Sequence, residues 1–333
     1  MELDFKNNMY KEKALNTQMN TENIHSSVDS LLLLIKGVAF EDLSNLCGVI
    51  QEYYKNLPNP IEISLNDCYK LTQSNNLNEL EKSTIASLIS KCIKEKSFLG
   101  NKTILDGKIN TSGWISHSFY AGEVCAALAN QLGLDEDKAR TMGIVHDYGR
   151  KFNHTFVHTI DGFEALTNIG WDSEAIGCLT HSFVNGGRCS NNEPALEGFY
   201  LDKEGNAKWK DGVNKDDMTL FLENYNYTDY DILLNIADLM ATDKGIVSPK
   251  DRIDDIATRR TIDPTNRGYF LSDITNVFID ILKKLNLLSD NVGYIKQDEN
   301  TSLEEIEEYF NKVSTYFYSC FSNFETKNKN NIL

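Results

Sequence analysis

The chain has 333 residues, of which 49 are acidic and 33 basic, for a formal net charge of −16. Hydrophobic residues make up 41% and charged residues 25%, a balance that can bury a sizeable core in a chain of roughly two domains' length. The acidity argues against a duplex nucleic-acid partner, because a surface that tracks phosphates needs clustered Lys and Arg.

Further classes drop out along the chain. No apolar run approaches the roughly 18 residues of a membrane-spanning helix, so no membrane partner is expected. The opening MELDFKNNMYKEK lacks the basic-then-apolar plan of a secretory leader. The seven cysteines are irregularly spaced and contain no C-x-x-C, which fits reduced thiols and a cytoplasmic setting. No Gly-rich phosphate loop of the dinucleotide or P-loop kind is present.

Residues 1 to about 25 are polar and are expected to pack loosely. From Val28 to Leu57 the apolar residues Leu31, Leu32, Ile35, Val38, Leu43, Leu46, Ile50 and Tyr54 recur at mostly helical steps, and Pro58-Asn59-Pro60 breaks the run. A second helical run spans Leu77 to Phe98 and closes at Gly100 and Asn101. Residues 1–100 thus form a helical N-terminal region, a packing or partner-binding layer without nameable chemistry. From Ser112 helices follow densely: 112–132, a helix capped by Asp135 and leading to His146, then 160–169, 172–183, 228–242, 249–260, 270–286 and 302–324. Within an insertion at about 185–215, the stretch FYLDKEGNAKWKDG alternates around Glu204-Gly205-Asn206 and predicts a small β-hairpin. The class is all-α, with 101–286 as the central helical domain and 287–333 as a C-terminal helix packing on the core. In that last helix Glu304, Glu305, Glu307 and Glu308 read as a solvated face. The series Tyr309, Tyr316, Phe317, Phe321 and Phe324 reads as packing or as a homodimer contact in preference to a cofactor box.

The histidines carry the chemistry. Five of the six fall between His117 and His181, and His146 is followed at once by Asp147. A further acid, Asp238, sits in the apolar stretch LLNIADLMATD. Imidazole and carboxylate together suit Fe, Mn, Zn, Ni or Co. Adjacent His146 and Asp147 cannot share a face of a regular helix, but at a helix end both can turn toward one ion. His117 and Asp238 would join them across a helical bundle. His158 and His181 add two nitrogens, and six donors exceed one ion's needs, which suggests two metals bridged by Asp147. His154 competes with His158 for that role. His158 is favoured because it opens the helical run TIDGFEAL, and His25 is expected to be structural or exposed.

These residues resemble the HD-domain metal-dependent phosphohydrolases, whose pattern is H…HD…(H…H)…D. The matching strings are SHSFYAGEVCAALA, GIVHDYGRK, HTIDGFEAL, CLTHSF and NIADLMATDKGIVSPKDR, over roughly residues 110–262. The resemblance implies an HD-type helical bundle with metal ligands His117, His146, Asp147 and Asp238. His158 and His181 match the extra histidines of two-metal members, in which the acid of the doublet bridges. Where the family often has HD-x-G-K, this chain has Arg150, which keeps the positive charge and adds a fork suited to phosphate oxygens. Arg188, Lys250 and Arg252 are further candidates for holding substrate. The string that marks the HD-GYP subgroup is absent after His181.

The expected activity is therefore phosphoester hydrolysis of a small phosphorylated molecule or nucleotide. Asp147 and Arg150 are its catalytic residues, and a divalent metal pair is the cofactor. Two other readings stand beside it. Some HD-like proteins hold two irons and use dioxygen, but those carry a Lys shortly after the fourth histidine, where this chain reads His181-Ser182-Phe183-Val184-Asn185. A metal-stabilised sensor or interaction module is the non-enzymatic reading.

Overall fold

The computed structural model describes residues 25–96, 102–105, 108–111, 113–152, 158–182, 200–201, 207–208, 225–259, 264–289, 292 and 301–330. The protein is mostly helical. The helices in chain order are α1 (Ser27–Ile35), α2 (Phe40–Lys55), α3 (Leu65–Gln73), α4 (Glu79–Lys94), α5 (Trp114–Leu132) and α6 (Glu136–Val145). A 3-10 turn (Tyr148–Lys151) leads to α7 (His158–Asn168) and α8 (Asp172–Thr180), then α9 (Asp229–Asp238), α10 (Pro249–Arg259), α11 (Pro264–Lys284) and α12 (Leu303–Asn330). Three antiparallel two-stranded ribbons complete the described residues: β1 (Lys102–Leu105) with β2 (Lys108–Thr111), β3 (Tyr200–Leu201) with β4 (Ala207–Lys208), and β5 (Ala241–Thr242) with β6 (Gly245–Ile246).

Local chemistry sets several of these boundaries. Ser26 and Ser64 accept from the Asp29 and Asp67 amides at the starts of α1 and α3. Asn78 with Glu81 and Thr228 with Asp231 form reciprocal caps on α4 and α9. Asp135 caps α6 by accepting from the Lys138 amide at 3.0 Å.

The structure departs from the periodicity in several places. The run from Val28 to Leu57 is two helices, because the chain turns at Gly37, whose φ is +71°. Helix α3 escapes the apolar pattern because it is short and carries few apolar residues. The run 228–242 ends as a helix at Asp238, and the chain then folds into the β5–β6 hairpin. The FYLDKEGNAKWKDG stretch does pair, with Tyr200 opposite Lys208 and Leu201 opposite Ala207. The rest of the 185–215 insertion lies outside the described residues.

Two cores flank the α5–α6 pair. On one side, α1–α4 pack against Trp114, Ile115 and Phe119 of α5, Ile144 and Val145 of α6, and α7 and α8. On the other, α9–α12 pack against Val124, Cys125 and Leu128 of α5. Tyr309, Phe310, Phe317 and Phe321 of α12 are buried in this second core, so most of that aromatic series is packing. Helices α5 and α6 approach backbone to backbone at Gly122 and Gly143: a Cβ on Gly143 would lie 2.6 Å from the Gly122 Cα. That approach brings the start of α5 to the end of α6, where His117 and His146 lie.

Candidate metal centre

Six side chains that chemistry alone marks as metal donors converge at helix ends. His117 lies in the first turn of α5, and His158 is the first residue of α7. His146 and His181 follow the last residues of α6 and α8, and Asp238 is the last residue of α9. Asp147 stands between α6 and the 3-10 turn. Three helix C-termini therefore point their partial negative charge at one spot, a field that favours a cation.

Asp147 is the centre of the geometry. Its Oδ2 lies 3.6 Å from His117 Nε2 and 3.8 Å from His146 Nε2, while its Oδ1 lies 2.9 Å from His158 Nε2 and 3.6 Å from His181 Nε2. Asp238 Oδ1 sits 2.9 Å from His117 Nε2 and 3.7 Å from His146 Nε2. His158 and His181 present their Nε2 atoms 3.3 Å apart. The result is two overlapping triads, His117-His146-Asp147 and Asp147-His158-His181, that share one carboxylate.

Main-chain carbonyls orient the imidazoles. Nδ1 of His117 donates to Ala241, that of His146 to Gly143 and that of His181 to Gly177, at 3.1, 2.7 and 3.1 Å. In the neutral rings this leaves the Nε2 lone pairs facing the carboxylates. The Asn235 side chain in α9 donates to the carbonyls of both Thr180 and His181 at 2.8 Å, which fixes the end of α8. Sequence reasoning missed Asn235. Its signal was there: Asp231, Asn235 and Asp238 stand at i, i+4 and i+7 in an otherwise apolar helix.

Electrostatics show what the cluster lacks. Burial would push the Asp147 carboxyl up, but Arg150, His146 and His158 hold it well below the usual carboxylate range. Asp238 is held low in the same way, with the His117 and His146 rings beside it outweighing burial. Burial lowers His117 and brings His181 down to about 3. Burial also opposes a proton on His146, but Asp147 and Asp238 outweigh it and raise that ring. Two ionised carboxylates, beside His117 and His181 held against protonation by burial, leave a site that favours positive charge.

A divalent cation fits this need. His146 Nε2 is buried without a hydrogen bond, an expensive state for a polar atom unless a ligand takes it. An ion with bonds of about 2.1 Å needs neighbouring donors about 3.0–3.4 Å apart. The observed separations, 2.9–3.8 Å, bracket that spacing.

The remaining candidates are placed as follows. Arg150 donates from Nε to Asp147 Oδ2 at 2.6 Å, so part of its fork is committed to that carboxylate. Lys250 lies in an exposed i,i+4 ion pair with Asp254. Arg252 is largely buried, with one terminal amine 3.3 Å from Asp255. Arg188 and His154 lie outside the described residues. His25 stacks on Trp171 at 3.9 Å and meets the buried Glu174, well apart in role from the donor set.

Comparison with known families agrees with the motifs: residues 114–183 match the family model of the HD domain. That segment spans five of the six donors, and Asp238 is supplied from beyond it. No curated protein and no solved structure matches the chain. Among the described residues, no helix is long and apolar enough to cross a membrane.

Proposed function

We propose that this chain is a metal-dependent phosphohydrolase that cleaves a phosphate ester of a small molecule or nucleotide. In this reading His117, His146, Asp147 and Asp238 hold one divalent cation, and Asp147, His158 and His181 hold a second. The observation that supports it best is the division of Asp147, each oxygen of which faces a different histidine pair. Imidazole with carboxylate suits Fe, Mn, Ni, Co or Zn. When bound, such ions lower the pKa of water from about 16 to roughly 7 and polarise phosphoryl oxygens.

The chain's own residues do the rest. Arg150 Nε holds Asp147 in its bridging orientation, and its terminal amines remain to neutralise charge on the phosphoryl oxygens. The main-chain bonds to His117, His146 and His181 fix the donors before substrate arrives, so no reorganisation is needed during reaction. The net charge of −16 does not bar an anionic substrate, because cations held in the site dominate the local field. A cytoplasmic setting accords with the cysteine spacing.

A screen of phosphomonoesters, phosphodiesters and nucleotides with Mn²⁺, Co²⁺, Ni²⁺ or Fe²⁺ tests the proposal. The expected outcome is phosphate or phosphomonoester release that chelation abolishes and added metal restores. Substrate-dependent oxygen uptake by iron-loaded protein, without hydrolysis, would make it a di-iron oxygenase instead. Metal uptake with no turnover of any kind would leave a metal-stabilised sensor or interaction module.

A further inference from the structure

We infer that Arg252 forms a second anion-binding position beside the first triad, so that the substrate carries another negatively charged group besides its reacting phosphate. This inference rests on the phosphohydrolase reading of the same site. Three observations lead to it.

The first is placement. Ala241, at the start of the β5–β6 hairpin, accepts from His117 Nδ1, and the chain leaves that hairpin directly into α10, where Arg252 sits in the first turn. Asp238, at the other end of this short connection, is about a quarter exposed, unlike the near-fully buried His146 and Asp147. The open edge of the cluster is therefore on the Asp238 side.

The second is an unspent donor. The Arg252 side chain is 17% exposed, and its Nε is buried without a hydrogen bond. One terminal amine reaches Asp255 at a long 3.3 Å. A guanidinium recognises carboxylate or phosphate through paired N–H groups, and a buried donor left unmatched is costly. Lys250, by contrast, is turned to solvent with Asp254.

The third is the division of labour between the two arginines. Arg150 is bound to Asp147, the shared carboxylate. Arg252 stands on the other side: Val247 donates to the Met240 carbonyl at 2.8 Å, which returns the chain to within two residues of Asp238 just before α10 begins. One cation therefore serves the bridge, where the reacting phosphate would lie, and the other serves the flank of the first triad. A substrate with a single anionic group would leave the second unmatched.

The test uses the full chain loaded with Mn²⁺ and freed of excess metal. Inorganic phosphate, phosphonoacetate and methylenediphosphonate are titrated calorimetrically into wild type, Arg252→Gln and Arg252→Lys. Loss of a charge-assisted hydrogen bond predicts that Arg252→Gln weakens one or both bis-anions by about tenfold or more while phosphate changes less than about twofold. The bis-anion that loses more tells a carboxylate from a second phosphate. Equal weakening of all three ligands, or no weakening of any, overturns the inference. Arg252→Lys keeps the charge but lacks Nε, so it carries the same comparison if the Gln variant loses its helical circular dichroism. Metal content of the same samples separates the two levels. Wild type that takes up no Mn²⁺ defeats the hydrolase reading. Loaded protein whose Arg252 variants bind every ligand like wild type defeats this inference alone.

Discussion

Replacing Asp147 by Ala is expected to remove bound metal from both triads and to abolish turnover. The reason is that its two oxygens face different histidine pairs, so among the described residues no other side chain joins the triads. Loss of both cations forfeits several kcal/mol of transition-state stabilisation, on the order of 10³-fold or more in kcat/KM. His117→Ala is the informative contrast. It touches only the first triad, so the metal content should fall from two ions to one per chain. Asp147→Asn keeps the volume and loses the charge, and it should behave as Asp147→Ala does. Metal analysis of all three variants, with circular dichroism as a folding control, checks this. Full metal content in Asp147→Ala, or equal loss in His117→Ala and Asp147→Ala, would remove the bridging role.

Gly149→Ala is expected to destabilise the protein by about 3 kcal/mol or more, a large effect for one methyl group. A Cβ at Gly149 would collide with the His158 carbonyl oxygen and lie 2.5 Å from the Gly162 amide nitrogen. Both are main-chain atoms, so a side-chain rotation cannot relieve the clash. The 3-10 turn and the start of α7 would have to separate, which would widen the 2.9 Å gap between His158 and Asp147. The variant should therefore also lose occupancy at the second triad before the first. Gly48→Ala supplies the control. It lies within α2 with open space around it and should be neutral or stabilising by up to about 1 kcal/mol. Denaturant midpoints measure both variants, and a Gly149→Ala midpoint matching wild type would contradict the packing described here.

The donor set was legible because its signal is chemical and local. His146 and Asp147 stand where a helix ends, His158 opens a helical run, and Asp238 interrupts an apolar one; each is visible in a few letters. The caps at Asp135 and the pairing around Glu204-Gly205-Asn206 were legible for the same reason. What orients the donors was not, because it depends on contacts between distant segments. The carbonyl that fixes His117 belongs to Ala241, and Asn235 secures His181 through main-chain bonds that no spacing rule announces. The N-terminal region shows the same limit. Periodicity predicts its helices but not that Leu34, Ile35 and Ile89 share a core with Val145 and Cys178. Nor does it predict that Lys151, at the end of the 3-10 turn, donates to the Lys36 carbonyl at 2.7 Å. Through that bond the turn carrying Arg150 is tied to the α1–α2 connection.

The central claim is that one carboxylate and five other side chains gather two cations. Anomalous scattering from crystals of the Mn²⁺-loaded protein tests it most directly. Two peaks about 3.5–4 Å apart are predicted, one touching His117, His146 and Asp238, the other His158 and His181, with Asp147 between them. A map with no peak at Asp147, or a single ion bound away from these side chains, would contradict it.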